Sequence, residues 1–238
     1  MKKIANKYVV IFSIVISFVL LSISSLFSWD DNPVMGFDKL CADSCIVLCC
    51  MLLIKFGGLL DTAGFTKKGY IKGLLYGSPF LVIGIASVFV SNAGVNFSTL
   101  THISVANSVL FTINMLFVGM NEEIWMRAMI LNALMRKYGD TYPQIWKSLI
   151  ISALIFGAIY IKSKNIWAGI TIHALVDWCS LFIGNCFMGT KSIISMEMTI
   201  QQAVIIIALG SLPPILIAWL LLRNKNVGVK KIIGVRHQ

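Results

Sequence analysis

The stretch Phe117-Val118-Gly119-Met120-Asn121-Glu122-Glu123-Ile124-Trp125-Met126-Arg127 closes a long apolar run with two adjacent carboxylates and an arginine. Ionisable side chains at membrane depth are costly, so they mark functional positions by default. The chain around them is 58% hydrophobic and only 13% charged, with a mean hydropathy of +0.85. A soluble domain is closer to half apolar and a quarter charged. In lipid every backbone polar group must be satisfied internally, which leaves helices or a closed barrel. The apolar runs are continuous instead of alternating, and this selects helices. The expected fold is all-α, a polytopic transmembrane helical bundle of about seven or eight spans at roughly 20 residues each.

Outward from the motif, the segment 98–120 is expected to continue helically through Glu122 to Lys137, until Tyr138-Gly139-Asp140-Thr141-Tyr142-Pro143 breaks it. Upstream lie apolar runs at 8–27, 41–60 and 70–91, the last with Pro79 as a kink. The first is longer than a signal-peptide core and lacks a small-x-small cleavage site, so it reads as an uncleaved span. The loop Trp29 to Lys39, with Asp30, Asp31 and Asp38, suits the outer side. Downstream, spans are expected at 145–161, 166–187 and 200–222, with Lys162-Ser163-Lys164-Asn165 as a tight loop and Pro213-Pro214 inside the last span. Residues 1–222 thus form one membrane domain with its motif-bearing core at 98–187, followed by a basic tail at 223–238. Basic residues at both termini ask for an even number of spans, while this count gives seven. Either the Glu122 to Lys137 segment enters the membrane separately, or one apolar run does not cross.

The formal net charge is +10. Its basic residues gather in short flanks such as Lys67, Lys68 and Lys72, the pattern of positive-inside anchoring against anionic lipid. No aromatic-interleaved basic patch of the kind that stacks bases is present, so nucleic acid is not an expected partner. Cys41, Cys45 and Cys49 share one helical face. Three thiols there could hold a soft metal, or serve as small buried hydrophobes.

In a helix, Glu123 and Arg127 are i,i+4 neighbours and pair, while Glu122 points about 100° away. Asn107, Asn114 and Asn121 recur every seven residues and form nearly one stripe. The stripe is either a polar inner wall leading to the Glu pair or a set of helix–helix hydrogen bonds. A second pair, His173 and Asp177, is again i,i+4 inside an apolar run. Two ligands, or an imidazole and its orienting carboxylate, converge from one helix at this spacing. Glu122 or Glu123, His173 and Asp177 should converge in one buried polar cavity. A proton relay, a metal site and a hydrolytic site all fit them, as do buried pairs that only lock helices together.

The Glu122-Glu123-x-x-x-Arg127 segment, with His173-x-x-x-Asp177 in Trp167-Ala168-Gly169-Ile170-Thr171-Ile172-His173-Ala174-Leu175-Val176-Asp177, resembles the CPBP family. These are the CAAX-processing and bacteriocin-processing intramembrane endopeptidases, also called the Abi family. The lead-in from Ile161 to Trp167 is also similar to that family. One departure stands out. The family's middle motif, Phe-x-x-x-His, has its nearest match in Phe156-Gly157-Ala158-Ile159-Tyr160, with tyrosine in the histidine's place. The interval from Tyr160 to His173 is also shorter than the family's.

The resemblance implies peptide-bond hydrolysis at the membrane, on a small peptide or lipidated protein substrate. It implies Glu122 as the base for water, Glu123 held by Arg127, His173 holding water or the oxyanion, and Asp177 orienting His173. If a metal takes part, zinc on Glu122 and His173, with Asp177 as a third ligand, is the expected cofactor. Tyr160 could supply a hydroxyl donor in place of the missing imidazole. The expected location is a multi-pass protein of the bacterial cytoplasmic membrane, in contact with the lipid bilayer. Loss of the second histidine favours another reading, a non-catalytic membrane protein of the same fold acting in bacteriocin self-immunity or as partner of a sensor or secretion system. A proton-coupled transporter is the third reading; the short chain and lack of repeated halves count against it.

Overall fold

A computed structural model describes residues 9–27, 36–91, 98, 100–138, 154–188, 212 and 215–222. The helices among them are α1 (Val9–Ser25), α2 (Phe37–Gly57), α3 (Tyr70–Ser91) and α4 (Val105–Glu123). A π-helical segment, Ile124–Leu131, joins α4 without a break to α5 (Asn132–Tyr138). Then follow α6 (Leu154–Ser163) and α7 (Ile166–Cys186), while residues 215–222 are also helical. The strand pairing is minimal: Thr101–His102 lies antiparallel to Phe187–Met188. The expected all-α class therefore holds. Two of the described helices, Phe37–Gly57 and Ile166–Cys186, are each long and apolar enough to cross a membrane. The outer acidic loop at 29–35, most of the spans expected at 145–161 and 200–222, and the basic tail lie outside the described residues.

The faces turned outward are apolar. Phe18 on α1, Leu48 on α2, Leu75 and Phe89 on α3, and Val105 on α4 are all exposed. Large exposed apolar side chains on four helices, together with the composition, suit helices in contact with lipid.

Helix α7 is the centre of the bundle, with α3 on one side and α4 on the other. Its approach to α3 depends on small residues. A Cβ at Gly73 would collide with Ala168, and one at Gly77 with Ile172. Small residues let helix backbones approach where no hydrophobic drive separates protein from lipid. Pro79 sits inside α3 without ending it.

Two polar junctions fix the ends. Helix α2 closes on Gly58, which takes the left-handed conformation (φ 65°). Gly58 N–H bonds the Lys55 carbonyl at 3.1 Å and Leu59 N–H the Ile54 carbonyl at 2.9 Å, a Schellman closure. Asn165 opens α7, its side chain accepting from Ala168 N–H at 2.9 Å. The same amide donates to the carbonyls of Thr66 and Lys68. Since α7 begins at this pinned turn, the height of every residue along it is set. His173 stands seven residues on, about 10 Å above the turn at 1.5 Å per residue.

The helix carrying the Glu pair runs on through Tyr138, so the Glu122 to Lys137 segment is a continuation and not a separate span. Only the first residues of the expected 98–120 segment differ, because Thr101 and His102 are extended against Phe187 and Met188 and the helix starts after Ser104.

Candidate active site

Glu122 and Glu123 end α4, and Arg127 lies in the π-helical segment that follows. π-turns are rare and concentrate at functional sites. Arg127 Nη1 lies 3.0 Å from Glu123 Oε1, with both side chains buried. His173 Nδ1 meets the same oxygen at 2.9 Å. The other ring nitrogen, Nε2, is 3.5 Å from Glu122 Oε2 and 3.5 Å from Asp177 Oδ2. The other four residues singled out in the sequence therefore gather at the His173 imidazole, Glu122, Glu123 and Asp177 directly and Arg127 through Glu123.

Their exposure divides them. The side chains of Glu123 and Arg127 are at most 2% exposed, whereas Glu122 is 51% and Asp177 30% exposed. The Nδ1 side of the ring is sealed and structural in character; the Nε2 side opens outward. With Nδ1 donating to the Glu123 carboxylate, the tautomer and plane of the ring are set by Glu123. Asp177 instead faces the same nitrogen as Glu122, because an i,i+4 carboxylate on His173's own helix reaches the outer edge of the ring.

Two further residues shape the site. Phe156 on α6 stacks on His173 with centroids 4.6 Å apart and planes 11° from parallel. The Arg127 guanidinium lies 5.1 Å from the same ring centre, a cation–π contact. Gly169, one turn before His173, admits Glu123: a Cβ there would sit 2.7 Å from Glu123 Oε2. Neither role was read from the sequence, although Phe156 opens the Phe156 to Tyr160 segment and Gly169 lies in the lead-in to His173.

Tyr160 does not stand in for an imidazole at this site. It is buried, and its hydroxyl donates to the Thr62 carbonyl at 2.7 Å. One helical turn separates it from Phe156, so the two side chains share a face of α6; Phe156 reaches His173 and Tyr160 ties α6 to the loop after α2. His102 lies on the extended segment before α4, with Nε2 2.7 Å from Ser108 Oγ.

Two of the three asparagines in the stripe, Asn114 and Asn121, tie α4 to α2 and the residue before it. Asn114 Nδ2 donates to the Gly36 carbonyl at 3.2 Å, and Asn121 Nδ2 to Asp43 Oδ1 at 2.7 Å. Asp43, a fully buried carboxylate on α2 that also pairs with Lys39, was passed over in the sequence. The signal was there: it is an isolated acid inside the apolar run 41–60. The six cysteines are free thiols.

As a metal centre the site is incomplete. Among the described residues no group of three or more His, Cys, Asp or Glu side chains is arranged to hold an ion. Catalytic zinc ordinarily takes three protein ligands.

Residues 104–159 match a family model described as type II CAAX prenyl endopeptidase Rce1-like. The match takes in Glu122, Glu123, Arg127 and Phe156 and ends before Tyr160, His173 and Asp177. No curated protein and no solved structure matches the chain. The resemblance carried by the two motifs and the match over residues 104–159 agree, and the chain is similar over that segment to the CAAX-processing intramembrane endopeptidases.

Proposed function

We propose that this protein is an intramembrane endopeptidase of the CPBP type, acting on a small peptide or lipidated protein at a bacterial cytoplasmic membrane that it crosses about seven or eight times. The observation that carries the reading is the half-exposed Glu122 carboxylate facing His173 Nε2, while Glu123 and Arg127 hold the ring from behind. Glu122 is the general base. It takes a proton from a water held against Nε2 as the water oxygen attacks the scissile carbonyl carbon. His173 Nε2 accepts from the water and holds it in place, and the proton on Glu122 passes to the leaving amine nitrogen as the C–N bond breaks. Asp177 shares the Nε2 edge and holds the same water. A zinc ion, where one is taken up, would rest on Glu122 and His173, and the steps above do not pass through it.

Cleavage of an internally quenched prenylated CAAX peptide by the full chain in nanodiscs tests this. Turnover should vanish in both Glu122→Gln and His173→Ala. Wild-type protein that is folded yet cleaves neither this peptide nor a membrane-anchored panel would overturn the reading.

A second reading has its own support. Tyr160 occupies the place of the family's middle histidine, and its hydroxyl is committed to Thr62. A site with one imidazole suits a non-catalytic protein of the same fold, in bacteriocin self-immunity or as partner of a sensor or secretion system. A biological phenotype unchanged in both Glu122→Gln and His173→Ala would favour it.

A further inference from the structure

We infer that Asp43 on α2 is a positioning residue for Glu122, acting through Asn121. The inference rests on the proteolytic reading for its effect on turnover. Asp43 is 0% exposed, yet it lies in an apolar helix where an isolated carboxylate is costly. Its Oδ1 atom takes Lys39 Nζ at 2.9 Å and Asn121 Nδ2 at 2.7 Å. Among the described residues its Oδ2 atom has no hydrogen-bond partner, nor has Asn121 Oδ1. The contact with Asn121 is therefore made at a cost that an apolar pair would avoid.

The position of Asn121 gives that contact its use. It immediately precedes Glu122 in the chain. Successive residues of an α-helix are turned by about 100°, so fixing the direction of Asn121 fixes the direction of Glu122. A second clasp two turns earlier, Asn114 to the Gly36 carbonyl, holds the same face of α4 to α2. The two clasps together prevent α4 from rolling about its axis. Glu122 needs that restraint because nothing buries it: it is half exposed and stands 3.5 Å from Nε2. Glu123 has Arg127 and His173 to hold it, while among the described residues Glu122 has the setting of its helix and the loose contact to the ring.

The test uses the full chain in nanodiscs and two readouts. One is kcat and KM on the quenched prenylated peptide. The other needs no substrate: the pH profile of His173 modification by diethylpyrocarbonate, resolved by peptide mass spectrometry. That profile reports the groups around the ring, namely Glu122, Glu123, Arg127 and Asp177. Asp43→Leu should lower kcat about 10- to 100-fold with KM within about twofold, as a misplacement near 1 Å does, and should displace the His173 profile. Asp43→Asn keeps an acceptor for Asn121 and should return both readouts towards wild type. A folded Asp43→Leu protein with the wild-type profile and kcat overturns the inference, and so does Asp43→Asn behaving like Asp43→Leu. Where Asp43→Leu does not accumulate, Asn121→Ala removes the donor and carries the same expectation. Failure of both to accumulate also counts against the inference, since the pair would then hold the bundle and not the site. If wild-type protein cleaves nothing, the proteolytic reading falls alone, and the His173 profile still decides the positioning.

Discussion

His173 Nδ1 and Arg127 Nη1 converge on one atom, Oε1 of Glu123, at 2.9 and 3.0 Å. Two donors on one buried oxygen make Glu123 the common support of the ring and the guanidinium. Removing either donor unbalances the other.

Arg127→Ala should therefore deplete folded protein. It leaves Glu123 short of its countercharge at a fully buried position and strips the cation–π contact from Phe156. Breaking one partner of a buried pair costs roughly 3–5 kcal/mol. Thermal unfolding in detergent and the amount of folded protein in the membrane measure it. A wild-type melting point would contradict the role.

Glu122→Gln should spare the fold, because the side chain is 51% exposed and anchors no other element. Cleavage should fall by about 10²- to 10⁴-fold, the usual loss for a positioned acid–base group. Parallel loss of abundance and activity would refute the separation of Glu122 from Glu123.

Gly169→Ala should act at a distance of one methyl group. The new Cβ would press on Glu123 Oε2, and α7 cannot retreat easily because on its other side α3 packs closely at Gly73 and Gly77, against Ala168 and Ile172. Overpacking of this kind costs about 1–3 kcal/mol. Both the melting point and the His173 modification profile should change, and a change in neither would show that Glu123 has room to move.

Tyr160→Phe should cost stability alone. The lost hydrogen bond to Thr62 is worth about 1 kcal/mol, and the residual cleavage rate should equal that of wild type. Tyr160→His should not raise turnover, since the side chain is directed to the α2–α3 loop. A rate gain in the histidine variant would show that α6 can turn to bring position 160 to the site.

Removal of divalent metal by a chelator should leave cleavage in place, as Glu122, His173 and Asp177 were the expected ligands and among the described residues no group of three or more such side chains is arranged to hold an ion. Loss of cleavage on chelation, with recovery on adding zinc, would assign the metal role to those residues.

Much of this was legible in the chain. The helices at 70–91 and 166–187 were readable because each is a mostly apolar run bounded by turn residues, and α3 and α7 occupy nearly those limits. The i,i+4 pairs follow from helical spacing alone, which is why Glu123–Arg127 and His173–Asp177 could be anticipated. Contacts between helices could not. No spacing says that His173 turns Nδ1 to Glu123 and Nε2 to Glu122, because that depends on how α4 and α7 cross. The partner of Asp43 was hidden for the same reason: Asn121 is 78 residues away in sequence. The π-helical segment carries no signature in its residue types, which are ordinary helix formers.

The glycine seams have a consequence for traffic. On the α3 flank, Gly73 and Gly77 bring α7 so near that even a methyl group would not fit between the helices. On the α4 flank, Gly119 and Gly169 do the same. A lipid tail is wider than a methyl group, so neither seam is a doorway. Among the described residues, the side of His173 left open to an approach is the one that carries Glu122 and Asp177.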